Sequence, residues 1–311
     1  MIAALLLPFA LSGASDATLR SQPLFEESTR TTFEQALKLS LAGDHPAAEA
    51  FARSWNGARR PEGRILVAVV GLSHFADLHT PAALESARTA LGEAISRLQG
   101  WNDPRERFLL ALARSQESYL ENLEGRNLAS ALSGRQAAKL CQDLLDEGRD
   151  DPDLKGIVGG YLFWKAQSLG ALRVALGGDT REKGLDWTRQ AVAAPGPFQE
   201  AYRTSLLWIR FERKEFDQGL ALARAGRSAY PGNRLYRQAE GDMLFRLNRF
   251  AEALDTYRAS WIEYAGLEAI PANRLSAAGN LARIHLALRH SDSARAWLDT
   301  LDAPRYAKVR K

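Results

Sequence analysis

The chain has 311 residues, of which 46% are hydrophobic and 25% charged, close to the globular average, so it buries a sizeable core and is not a long disordered polymer. Its 41 basic residues stand against 37 acidic ones, a net charge of +4 that is too even for a nucleic-acid surface. The single cysteine, Cys141, excludes an intrachain disulfide and a thiolate metal cluster. Among apolar neighbours it is expected to be a buried small hydrophobe.

At the N-terminus, Ile2 to Leu11 form an uninterrupted apolar run that ends in Ser12, Gly13 and Ala14. This is the pattern of a signal peptide over residues 1–14, cleaved after Ala14, with the amino terminus supplying the positive charge. The run is about half the roughly twenty residues a membrane-spanning helix needs, so no transmembrane span is expected. Ala14 stands where a lipoprotein box requires cysteine, so the expected location is periplasmic or secreted without a lipid anchor. Residues 15–30 are polar, lack helical periodicity and read as a flexible leader.

From residue 31 onward, helix signals recur at short intervals and strand signals are nearly absent, which gives an all-α fold class. Thr31 and Glu34 form a capping box before Phe33, Ala36, Leu37 and Leu41. Thr80 with Pro81, and Asp151 with Pro152, repeat a cap followed by proline; Asp103, Pro104 and Glu106 combine both devices. Asp179 and Glu182 open the helix that carries Leu185, Trp187, Ala191 and Val192. These starts predict about fourteen helices, or about seven antiparallel pairs joined by short loops. A soft division near residue 150 separates an N-terminal helical-repeat region, 31–150, from a C-terminal one, 151–304. Residues 305–311 form a basic tail with Arg305, Lys308, Arg310 and Lys311, a solvated terminus.

Self-similarity appears at 34 residues when Phe216 onward is laid on Phe250 onward. Phe216 matches Phe250 at the start of a helix, Gly219 matches Ala253 where a small side chain lets two helices touch, and Leu220 matches Leu254. Arg234 to Glu263 is the clearest unit, with Gly241, Leu244, Phe250, Ala253 and Tyr257 in a small-and-large alternation. The unit before it carries Leu206, Phe216, Gly219 and Pro231, with Leu207 where the next unit has glycine; a third carries Leu281, Ala282, Ala294 and Leu298 after an insertion of about seven residues at 265–271. A degenerate unit shows near Leu37, Gly43, Asp44 and Ala48.

On these residues the chain resembles the tetratricopeptide repeat superfamily. The stretch Gly160, Tyr161, Trp164, Lys165, Asp179, Arg181, Glu182, Lys183 and Gly184 is similar to uncharacterised exported bacterial proteins with such repeats. The resemblance implies a right-handed superhelix, an α-solenoid, whose first helices line a concave groove that receives a peptide or partner protein. Carried over position by position, the groove residues are Trp208, Phe211, Gln238, Asp242, Phe245, Arg246, Asn280 and Arg283. Aromatic and arginine side chains of this kind dominate binding energy at interfaces. The implied role is a non-enzymatic scaffold or adaptor of the cell envelope.

Signals for catalysis or cofactors mostly fail. His74 and His79, like His285 and His290, are spaced by five and so do not share a helical face as zinc ligands would. Gly156, Gly159 and Gly160 lack the spacing of a dinucleotide loop and read as packing glycines; Ser73 lacks the flanking glycines of a nucleophile elbow. Glu117, Ser118 and Tyr119 resemble the start of a lytic transglycosylase motif, but nothing after them continues it. No cofactor or metal is expected. The alternative to a protein partner is a small-molecule, glycan or lipid platform made by Tyr161, Trp164 and Lys165, with Phe163 beside them.

Overall fold

The computed structural model describes residues 23–55, 57–170, 178–267 and 272–302. Among these residues there are fourteen α-helices and no strand. They follow as seven pairs: α1 (Glu27–Leu41) with α2 (His45–Ser54), α3 (Pro61–Leu78) with α4 (Pro81–Leu98), and α5 (Pro104–Leu123) with α6 (Asn127–Asp146). Then come α7 (Pro152–Leu169) with α8 (Arg181–Ala193), α9 (Gln199–Glu212) with α10 (Phe216–Ala229), α11 (Arg234–Arg246) with α12 (Phe250–Ala265), and α13 (Ala272–Ala287) with α14 (Ser291–Asp302). None of them is long and apolar enough to cross a membrane. The signal segment, residues 15–22, most of the 265–271 insertion and the basic tail lie outside the described residues.

Some helix starts use the devices read from the sequence; Thr80 does not, since it makes no side-chain cap bond and only Pro81 marks the start of α4. Asp103 and Asp151 cap α5 and α7, accepting from the amides of Arg105 and Asp153 at 2.8 Å each, with proline at the first helical position. Asp179 accepts from the Arg181 amide at 3.1 Å, although its box partner Glu182 turns away to pair with Arg213. Thr31 is a correction. It lies inside α1, where its hydroxyl donates to the Glu27 carbonyl at 3.0 Å, because the helix begins a turn earlier. The described end of the expected flexible leader, from Pro23, is likewise part of the fold. Leu24 and Phe25 are each only 3% exposed, and Phe25 packs against Phe33, Phe108 and Phe198 with ring centroids 5.1, 5.5 and 6.1 Å away. Two large apolar side chains suffice to order a short polar segment, since burying each is worth about 1.5–3 kcal/mol.

The repeats share one turn. Gly43, His79, Gly125, Lys214, Asn248 and Arg289 all have positive φ, and each stands two residues before the second helix of its pair. Five of these turns close alike: the positive-φ amide bonds a carbonyl three residues back, and the next amide one five residues back, as in Asn248 to Phe245 and Arg249 to Leu244. The interval from Lys214 to Asn248 is 34 residues, and that from Asn248 to Arg289 is longer by the insertion. The turn therefore extends the repeat into pairs where the sequence alternation has faded.

Successive helices pack on one another, and among the first nine each odd-numbered helix also touches the next odd one. The odd helices thus form one layer and the even helices the other, the arrangement of an α-solenoid. One apolar core runs from Leu24 to Tyr202 without a break at residue 150; a second runs from Leu207 to Ile284, and Phe163, Leu185, Leu206 and Ile209 lie between them. Cys141 is fully buried in the first, which raises its thiol pKa well above the ordinary range. Backbones approach closely between α7 and α8: a Cβ on Gly159 would stand 2.9 Å from the Gly184 carbonyl oxygen, so this glycine packs helices as the sequence suggests.

Candidate functional site

The eight groove residues all fall on first helices: Trp208 and Phe211 on α9, Gln238, Asp242, Phe245 and Arg246 on α11, and Asn280 and Arg283 on α13. The fold brings them together across pair boundaries. The Arg246 guanidinium lies 5.2 Å from the centre of the Phe211 ring, one pair back, and Arg283 lies 4.9 Å from the Phe245 ring, again one pair back. Phe211 is braced edge-on by Trp208 and Phe216, both at 5.6 Å, and Phe245 meets a tilted Phe250 ring at 5.8 Å. These aromatics are half-buried at the margin of the second core, while both arginines are exposed.

Asp242 sits among these cations. Its carboxylate accepts from the Tyr257 hydroxyl at 2.5 Å, and Gln238 donates to the Asn273 carbonyl at 3.3 Å. Burial raises the Asp242 pKa against the pull of Tyr257, Arg283 and Arg246. Arg283 donates to the Asn280 side-chain oxygen at 3.2 Å. Among the described residues no carboxylate is hydrogen-bonded to Arg246 or Arg283, whereas Arg224 and Arg227 share Glu240, and Arg210 and Arg213 share Glu215. The face therefore combines half-buried aromatic surface with two guanidiniums that no carboxylate neutralises by a hydrogen bond, a surface suited to binding.

A second polar cluster is absent from the sequence reading. Asp77, in the last turn of α3, accepts from His45 Nε2 at 2.9 Å, Arg234 Nε at 3.0 Å and the Tyr264 hydroxyl at 2.8 Å. Around it Asn273 donates to the carbonyls of Ala76 and Asp77 at 2.8 Å each, and Asn233 to that of Leu41 at 3.1 Å. Burial pushes the Asp77 pKa up, but His45 and Arg234 outweigh it and hold the carboxyl below its usual value. His45 stacks parallel on His74 with centroids 4.8 Å apart, and His74 bonds Glu49 at 2.6 Å. The cluster joins the first two pairs to the last two, so the solenoid closes on itself. His45 is drawn in by Asp77, which also binds Arg234, 157 positions further along the chain.

The three residues of the alternative platform share one face of a single helix. Tyr161, Trp164 and Lys165 lie on α7, but Phe163 is fully buried in the core and the Trp164 ring contacts it edge-on at 5.3 Å. Tyr161 is half-buried and Trp164 is 37% exposed. Glu117 pairs with Arg114 at 2.6 Å and accepts from Ser133 at 3.1 Å; Ser73 bonds Ser40 at 2.8 Å. Among the described residues no group of three or more His, Cys, Asp or Glu side chains is placed to hold a metal ion.

No protein-family model and no curated protein matches the chain. Solved structures do. Rap protein complexed with competence and sporulation factor is 11% identical, with 90% of this chain and 78% of that one covered at a TM-score of 0.54. A tetratricopeptide repeat protein from Parabacteroides merdae is 15% identical, with 91% and 95% covered at 0.42, and NprR in complex with its cognate peptide NprX is 11% identical, with 91% and 80% covered at 0.48. At such identities the likeness concerns the fold. Taken with the shared turn and the 34-residue interval, it shows that this chain has a tetratricopeptide-like α-solenoid fold.

Proposed function

We propose that the protein is a non-enzymatic scaffold or adaptor that receives a peptide, or an extended segment of a partner protein, along the first helices α9, α11 and α13. One observation carries this reading: Arg246 lies over Phe211 and Arg283 over Phe245, each reaching back to a ring one pair away, and among the described residues neither is hydrogen-bonded to a carboxylate. Trp208 widens the apolar strip, and Gln238 and Asn280 flank it with polar groups. A solenoid of comparable fold, Rap protein, is seen complexed with a factor, which agrees with this use of the architecture.

The test is selection of phage-displayed peptides on the immobilised protein. Enriched sequences are expected to lose about 1–3 kcal/mol of affinity on Trp208→Ala or Phe245→Ala. Selection that enriches nothing, or binders indifferent to both substitutions, would refute the groove. We also place the protein outside the cytoplasm, on the strength of residues 1–14. N-terminal sequencing of protein from an extracytoplasmic fraction should begin near Ser15, and an intact Met1 on cytoplasmic protein would overturn that placement.

A further inference from the structure

We infer that Tyr161 and Trp164 on α7 are the near end of the groove on α9 and α11, so that one strip of rings crosses three first helices and takes an extended peptide bearing two or more apolar side chains. The inference rests on the groove reading above and extends it by one helix. Two contacts fix how α7 and α9 lie. A Cβ on Gly160 would stand 3.8 Å from the Ser205 hydroxyl oxygen, and Gln167 donates to Glu212 at 3.0 Å. Both contacts join residues 45 positions apart, so the two helices run parallel and in step, with Trp164 level with Ile209. Trp208 is one residue away, about 1.5 Å along the axis, so the two tryptophans leave their helices at nearly the same height.

The same contacts decide which way the side chains open, because successive residues turn about 100° round a helix. From the Gly160 edge of α7, Trp164 and Tyr161 lie about 40° and 100° round in one sense; from the Ser205 edge of α9, Trp208 and Phe211 lie about 60° and 120° round in the other. Parallel neighbours that turn from a shared edge in opposite senses face the same side, so all four side chains open on one face. Trp164 is 37% exposed and Tyr161 half-buried, so the α7 end offers surface. Across the next boundary Arg246 lies over Phe211, and Phe245 follows on α11. Polar groups interrupt the strip, with Ser205 half-buried at the edge of α7 and α9 and Asp242 on α11. An extended peptide meets such a surface with alternating side chains and backbone amides, whereas an acyl chain would cover the polar groups without pairing them. From α7 to α11 is two helix spacings, about 16–20 Å, which about six extended residues span.

The probe is a phage-displayed library of random peptides of about twelve residues, selected on the wild type and remade as free fluorescein-labelled peptides. Enriched sequences should carry two or more of Leu, Ile, Phe and Trp, and fluorescence anisotropy should show Trp164→Ala and Trp208→Ala each weakening them about tenfold. A second readout does not touch the tryptophans. Lys165 is exposed and Cys141 is fully buried, so a benzophenone attached through Lys165→Cys marks the α7 end alone and should cross-link the same peptides. Unchanged thermal melts will confirm that the variants fold. Peptides that need Trp208 and Phe245 but neither respond to Trp164→Ala nor cross-link at position 165 would overturn the joined strip and leave the groove standing. Peptides indifferent to Trp208 and Phe245, or a selection that enriches nothing, would overturn both. Maltoheptaose or laurate that binds through Trp164 without displacing the peptides would mean two separate sites and would also overturn the strip.

Discussion

The two ends of the solenoid are packed from different materials. In the first four pairs the half-buried fringe of the core is mainly aliphatic, with Leu37, Leu39, Val67, Val69, Leu84, Leu110, Leu123 and Leu140. In the last three pairs it is mainly aromatic, with Trp208, Phe211, Phe216, Tyr230, Phe245, Phe250, Trp261 and Trp297. Aliphatic fringes complete a core; aromatic fringes with arginine on their faces also offer flat, polarisable surface to a partner. Two parts of one repeat architecture have therefore diverged into support and recognition, and the Asp77 junction is where they meet.

The largest expected effect tests the junction. Asp77→Ala leaves Arg234 and His45 without their buried acceptor, and chemical denaturation should show a loss of about 3–5 kcal/mol. Arg246→Gln, on the recognition side, should stay within about 0.5 kcal/mol of wild type. Equal effects from the two would erase the division between support and recognition. In the support region, Gly159→Val pushes side-chain atoms into the backbone of α8 and should cost about 1–3 kcal/mol or more, read by the same titration.

Acid and base pull on the support region in opposite senses. Asp153 is buried beside Asp151, and burial foremost raises its pKa to about 7, so the folded state prefers it neutral. Stability from this group grows as pH falls from about 8 toward 4, and Asp153→Asn should add about 1–3 kcal/mol at pH 8 while flattening that slope. Asp77 has the reverse sign: its contribution is complete above its ordinary value of 3.8 and is lost as pH falls through the lower native value. Melting temperature should therefore rise on mild acidification and collapse below about pH 4; a curve flat from pH 8 to 5 would contradict the Asp153 assignment. The smallest effect concerns the shared turn. Lys214 holds φ at 61° without being glycine, and Lys214→Gly should stabilise by about 0.5–1 kcal/mol, whereas destabilisation would mean the turn is not strained.

Much of this organisation is legible in the chain, through local chemistry. Prolines and aspartates at helix starts announce themselves because capping is settled within a few residues, and the groove positions follow from the register of Gly241, Ala253 and Tyr257. The shared turn hides from composition, since His79, Lys214 and Arg289 adopt a conformation usually signalled by glycine or asparagine. Phe25 hides among polar neighbours, and its burial is decided by Phe108 and Phe198, far along the chain. The register placed Arg246 and Arg283 on one face, but which ring each covers depends on how successive pairs stack, and no local pattern encodes that.

The Asp77 junction also changes what kind of object this solenoid is. A repeat array with contacts only between neighbours can fray from either end and lose units one at a time. Here His45, Asp77, Arg234, Tyr264 and Asn273 tie early units to late ones, so removing a terminal pair also removes a contact at the opposite end. Unfolding should then be shared by the whole ring, and folding should finish with a slow step that closes a loop of well over a hundred residues.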